Sequence, residues 1–323
     1  MTPRRPDLQP LIRRITTRTP VQVERVQPID DRQIELTERW IVPALPLLKA
    51  EFMEIRLAID ESIQAQLAVH PEEAIRGDPK RYPKGYCLPI TQRSLQTFLR
   101  RGLEAEPSEA LRTVLEFGEA GGHVGRVWGI LRDRYFQNAL QFGSHYFDVA
   151  NDTVDVTKPK IEHMPMAESG FRNVDSLADF VRIGEPYWGS RFFPNLHFPR
   201  LAITHPLLQL REHDGEFRVY RCAASMQWGH WDRDFAPVED HLREALCHGS
   251  AIPADLFDRI EAFRRARSLP HLPIEGFGES RLEELCAEAR SRYRDGKEGE
   301  ERFGRELAQG RHVLIDHGTG ADS

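Results

Sequence analysis

Cys87 stands out because of what surrounds it. It follows Lys84-Gly85-Tyr86 and opens an apolar-striped run, Cys87-Leu-Pro-Ile-Thr-Gln-Arg-Ser-Leu-Gln-Thr-Phe-Leu-Arg-Arg-Gly102. Ile90, Leu95, Phe98 and Leu99 give that run helical spacing, Pro89 is tolerated in a first turn, and Gly102 is a stop signal. A thiol at a helix N-terminus faces unpaired backbone N–H groups and the positive end of the dipole, which favour thiolate over thiol. The chemistry this arrangement suggests is nucleophilic attack on an acyl carbon. The remaining cysteines, Cys222, Cys247 and Cys286, are too scattered for a disulfide framework or a paired metal site.

A nucleophile needs a strand layer to hold its partners. His123-Val-Gly-Arg-Val-Trp-Gly-Ile-Leu131 reads as one strand, and Tyr135–Phe142 and Tyr146–Val149 as two more, turned at Gly143-Ser144. A cysteine-headed helix followed by a Gly-introduced strand and a hairpin resembles the core of transglutaminase-like and papain-like cysteine enzymes, over about residues 80–155. In that family the second strand opens with a histidine, often as His-Ala-Trp-Val, and an aspartate beyond a Gly turn orients the imidazole. Asp148 falls at the place of the aspartate, and Asn138 falls at the place of the histidine.

The resemblance implies thiol-based acyl transfer or amide hydrolysis without a cofactor, with Cys87 as nucleophile and Asp148 as orienter. Asparagine cannot take a proton from a thiol. Three outcomes stay open. His123 or His145 supplies the base, with Asn138 polarising an oxyanion or holding a side-chain amide. Or the helix terminus alone holds a thiolate. Or the arrangement is kept without catalysis, as a module that docks a protein or peptide partner.

Other groups offer different chemistry. His230-Trp-Asp232 matches the His-x-Asp pair of Fe(II)-dependent oxygenases, and His312, in the strand-like stretch Arg311–Ile315, is a candidate third ligand. The mainly helical pattern between them disfavours the jelly-roll barrel that such enzymes use, and no metal is expected. Trp188, Arg191 and Arg200, among Tyr187, Phe192, Phe193 and Phe198, could line a pocket gripping a carboxylate or phosphate. His197, His205 and His213 recur every eight residues, but Pro199 and Pro206 interrupt any strand that would align them.

The positioning elements give an α+β class, with a central antiparallel sheet, an N-terminal helical segment and a helical C-terminal region. Residues 1–30, with six arginines against three acids, read as a flexible or strap-like arm. Residues 31–235 read as the core, helical over 31–102 and sheet-rich over 121–235. Residues 236–323 return to helical spacing, with the charged run 279–306 as a solvated or partner-facing helix. Pro43 and Pro46 predict a break or kink that leaves a short helix and then a longer one over about 47–70, and strand-like sequence recurs at 201–210 and 216–226.

Composition bounds the rest. With 323 residues, 40% hydrophobic and 29% charged, the chain fits an ordinary globule rather than a disordered or collagenous one. A net charge of −6 gives no basic excess for nucleic acid. No apolar run approaches the ~18 residues of a membrane span, the first thirty residues lack the apolar stretch of a secretory leader, and the expected location is cytoplasmic. Oligomeric state is not legible.

Overall fold

In the computed structural model, the described residues are 24–75, 78–104, 107–213, 215–248, 255–258 and 278–314. They belong to two compact units, Met1–Asn173 and Val174–Ser323, and the fold is α+β, as the sequence pattern predicts.

Unit 1 opens with α1 (Asp31–Leu36), capped by the Asp30 carboxylate on the Gln33 N–H. A π-helical turn, Thr37–Ile41, leads directly into α2 (Val42–Val69). The predicted proline break is absent. Pro43 falls in the first turn of α2, and the wider i→i+5 bonding of the turn before it (Val42 N–H to Thr37 O) relaxes the crowding that a proline ring imposes on a preceding carbonyl. Leu48, Phe52, Ile55, Ile59, Ile63 and Leu67 recur every three or four residues and turn one face of α2 inward.

Two more helices follow, α3 (Cys87–Glu104) and α4 (Glu109–Glu119), the latter capped by Ser108 on the Leu111 N–H. The sheet comes next: β1 (Val124–Leu131), β2 (Tyr135–Phe142), β3 (His145–Asp148), β4 (Glu162–Pro165) and β5 (Phe171–Arg172), in the order β4-β3-β2-β1-β5 and antiparallel throughout. Gly143 takes a positive φ of 58° at the β2–β3 turn. A Cβ there would collide with the Thr37 hydroxyl, which accepts the Ser144 N–H, so the turn needs glycine.

Strand alternation sorts the sheet's two faces. Leu140, Phe142 and Phe147 meet the helices, where Phe52 stacks on Phe98 (4.6 Å) and tilts against Phe147 (5.3 Å). Val127, Leu131, Ala139 and Tyr146 face the other way, onto Met166 and Phe171.

Unit 2 contains α5 (Leu177–Trp188) and a three-stranded antiparallel sheet of β6 (Ser190–Pro194), β7 (Leu207–Arg211) and β8 (Phe217–Tyr220), in sequence order. The helices α6 (Ala224–Asp232), α7 (Ala236–His248), α8 (Glu279–Tyr293) and α9 (Gly296–Leu314) follow, and short helical stretches lie at Pro199–Ala202 and 255–258. The strand-like stretches at 201–210 and 216–226 shorten to β7 and β8. Pro199 starts a helical turn instead, and residues 224–226 enter α6. No helix among the described residues is long and apolar enough to cross a membrane.

Candidate functional site

Gly85 turns the chain at a φ of 87°, and its N–H donates to Thr153 O at 3.0 Å, tying the loop before Cys87 to the segment after β3. Cys87 then opens α3, as the helix signals predict. Its surroundings differ from that expectation. Cys87 is 8% exposed within the apolar cluster between helices and sheet. Burial pushes the thiol above its ordinary range, outweighing the Asn138 amide and the Leu88 N–H that favour the thiolate.

Asn138 Nδ2 donates to Cys87 Sγ at 3.4 Å. One turn further along α3, the Thr91 hydroxyl donates to Asn138 O at 3.1 Å. Asn138 is thus gripped from its side chain and its backbone, and the start of α3 is locked to β2. The helix spacing of Cys87 and Thr91, four residues apart, puts both on the face that meets the strand.

Asp148 lies on the other side of the sheet from Asn138. It is fully buried, and its carboxylate accepts from Gln137 Nε2 (2.7 Å), Tyr146 OH (3.0 Å) and Ala150 N (2.7 Å). Burial pushes its pKa up to about 7, since these three donors are neutral and offset only part of the desolvation. Gln137 and Tyr146 share the face opposite Leu140 and Phe147, so Asp148 orients Gln137 rather than residue 138.

The two histidines are placed elsewhere in the sheet. His145 opens β3 and is buried against His163 across the strand pair, ring centroids 5.7 Å apart. Burial, then the neighbouring His163, lowers its pKa to about 4. His123 precedes β1, where its N–H donates to Gln33 Oε1.

A buried ionic cluster lies nearby that sequence reasoning missed. Arg56, on the inward face of α2 and fully buried, forks onto Asp152 (2.8 and 3.1 Å), binds Asp60 (2.8 Å), and donates to Val149 O (2.9 Å). Lys160 reaches Asp60 (2.8 Å) and Asp152 (3.3 Å), and the Tyr82 hydroxyl also bonds Asp60. Burial lowers the arginine's pKa, but Asp152 and Asp60 more than restore it. The signal was present: an arginine and an aspartate four apart, on the helix stripe that also carries Phe52, Ile55, Ile59 and Ile63.

In unit 2 the other candidates part company. His230 and Asp232 sit on α6, not on a strand, and residues two apart on a helix point about 200° away from each other. His312 belongs to α9 rather than to a strand, and its side chain lies outside the described residues. Trp188 packs with Phe180 (5.4 Å) and Tyr220 (6.2 Å). Arg191 covers the Phe193 ring at 5.0 Å, and the Arg200 side chain lies outside the described residues. His205 is buried, with Nδ1 2.9 Å from Thr204 Oγ1, and burial lowers its pKa to about 4.

Among the described residues, one group has the composition of a metal site: His70, Glu72 and Glu73, all exposed, with ligand atoms within 4.8 Å of one another. Exposed carboxylates beside a helix end often have this spacing without an ion, and no second feature marks it as a site. Comparison with protein-family models, curated proteins and solved structures gives no match.

Proposed function

We propose that unit 1 is a non-catalytic interaction module, built on a transglutaminase-like arrangement and docking a protein or peptide partner. The observation that carries this reading is the Asn138 amide standing against the Cys87 sulfur, where a cysteine enzyme needs a proton acceptor. The thiol acts as a buried hydrogen-bond acceptor that seats α3 on β2, and burial raises its pKa. All four cysteines are free thiols, which suits a reducing compartment such as the cytoplasm.

The competing reading keeps Cys87 as nucleophile, with His123 or His145 as base and Asp148 as orienter, for acyl transfer or amide hydrolysis. Alkylation with iodoacetamide at neutral pH separates the two. Cys247 is exposed, whereas Cys87, Cys222 and Cys286 are buried. The binding-module reading expects Cys87 to be labelled about a hundredfold more slowly than Cys247 in the folded protein. Labelling of Cys87 ahead of Cys247 overturns it in favour of thiol chemistry.

A further inference from the structure

Residues 24–27, ahead of α1, run along the β1 side of the sheet: Val26 and Gln27 meet the face away from the helices, and Glu24 meets Arg126, which leaves β1 on the face it shares with Leu140. The Glu24 carboxylate accepts from Arg126 Nη2 at 2.8 Å. The Val26 N–H donates to Asn173 Oδ1 at 2.9 Å, and the Val26 side chain packs on the cluster of Val127, Ala139, Tyr146 and Phe171. Gln27 and Gln141 form a reciprocal pair: Gln27 N donates to Gln141 Oε1 at 2.8 Å, and Gln141 Nε2 donates to Gln27 O at 3.1 Å.

Three of these hydrogen bonds read main chain, not side chain. A primary amide that both donates to and accepts from one residue's backbone imitates a neighbouring strand, so it accepts any extended segment of matching shape. Gln141 is itself held in place, because its Nε2 also donates to Gly143 O at 2.8 Å. Selectivity comes from two side chains: an acid for Arg126 and, two residues on, an aliphatic group for the apolar cluster. The occupant is only half-buried, and residues 28–30 beyond it are exposed. Its hold depends on tethering, which raises its effective concentration to the millimolar range.

We propose that this β1 side of the sheet, from Arg126 around to Gln141 and the apolar cluster, is a peptide-docking surface filled in cis by residues 24–27, and that its occupant in trans is an extended segment of a partner protein with an acid two residues before an aliphatic residue. The proposal rests on the binding-module reading and names that module's partner class. Releasing the strap exposes Arg126, Gln141 and the apolar cluster, and the incoming segment restores the same contacts.

The test uses the full chain and a fluorescein-labelled peptide of residues 24–30, ERVQPID, followed by anisotropy. In a strap variant, Glu24→Ala with Val26→Asp, the docking surface is intact and its tethered competitor is weakened. The peptide is expected to bind this variant at least about tenfold more tightly than the unaltered chain. Adding Gln141→Ala should abolish that gain. A folded strap variant that binds no peptide up to about 1 mM, or binds equally well with Gln141→Ala, overturns the proposal. If the strap variant fails to fold, hydrogen exchange in the unaltered chain decides. The Val26 and Gln27 amides should exchange at least about a hundredfold faster than those of Ala139 and Leu140, and equal protection overturns the proposal. Dimers that form only in the strap-intact chain would mean that a second copy, not a partner protein, supplies the segment, and would overturn the assignment of partner. None of these outcomes alters the Cys87 labelling result, so failure of the docking surface and failure of the non-catalytic reading are separable.

Discussion

Asp148 and Asp152 are four residues apart, both buried, and live in opposite electrostatic circumstances. Asp152 meets the Arg56 fork and Lys160, two cations that share it with Asp60. Asp148 meets an amide, a phenol and a backbone N–H, all neutral. The Asp152 cluster holds Asp60 below the ordinary carboxylate range: burial opposes ionisation there, and Lys160, Tyr82 and Arg56 overcome it. Asp148 rises to about 7 with three good hydrogen bonds in place. Three neutral donors offset part of the cost of burying the Asp148 charge, whereas the cations beside Asp60, with Tyr82, outweigh it.

The largest way to break this contrast is Arg56→Met. It leaves Asp60 and Asp152 with Lys160 as their one cationic partner, and urea denaturation should show a loss of about 3–5 kcal/mol. The triple variant that also replaces both aspartates with apolar residues should recover part of that loss, because it removes the unpaired charge as well. A loss below about 1 kcal/mol for Arg56→Met would mean that water reaches the cluster.

Next in size is the pH dependence. The folded pKa of Asp148, about 7, lies above the ordinary carboxylate value of 3.8, so the folded state holds a proton that the unfolded chain has released. Asp148 therefore lowers stability as pH rises from about 4 to about 7. His145 works the other way over part of the same window. Its folded pKa of about 4 lies below 6.5, so its contribution is present above 6.5 and lost as pH falls toward 4. The two slopes oppose each other between pH 4 and 6.5. Asp148→Asn should uncover the histidine slope, making the protein more acid-sensitive, and should raise stability at pH 8 by about 2–4 kcal/mol. A pH profile unchanged by Asp148→Asn would refute the assignment of the buried proton.

Smallest is the clamp on the candidate site. Thr91→Val removes the hydroxyl that donates to Asn138 O while keeping the shape of the side chain. The expected cost is about 1 kcal/mol in a denaturant melt, with Cys87 labelling accelerated as α3 loosens on β2. Unchanged labelling would separate the Thr91 bond from the seating of Cys87.

Some of this was legible in the residues. Period-two patterning with a Gly-Ser turn gave β2 and β3, and the cysteine-headed apolar stripe gave the start of α3. The long helix was legible as a helix but not in its continuity, because the π turn that accommodates Pro43 leaves no compositional mark. His230 and Asp232 read as a strand pair because a short apolar-polar alternation does not distinguish a strand from a brief helix. The Arg-rich arm read as flexible or strap-like, and at its described end Glu24, Val26 and Gln27 bond to Arg126, Asn173 and Gln141. Most of the arm, residues 1–23, lies outside the described residues.

What the sequence determined by itself was local: helix starts, the hairpin and the α+β class. Tertiary structure alone decided which polar groups would meet. Sequence spacing put Asp148 ten residues after Asn138, and only strand register put them on opposite faces. Only packing put Arg56 within reach of Asp152, 96 residues away, or closed the apolar layer over Cys87. Propensity and capping act over a few neighbouring residues, whereas desolvation and charge pairing depend on whatever the folded chain brings within a few ångströms.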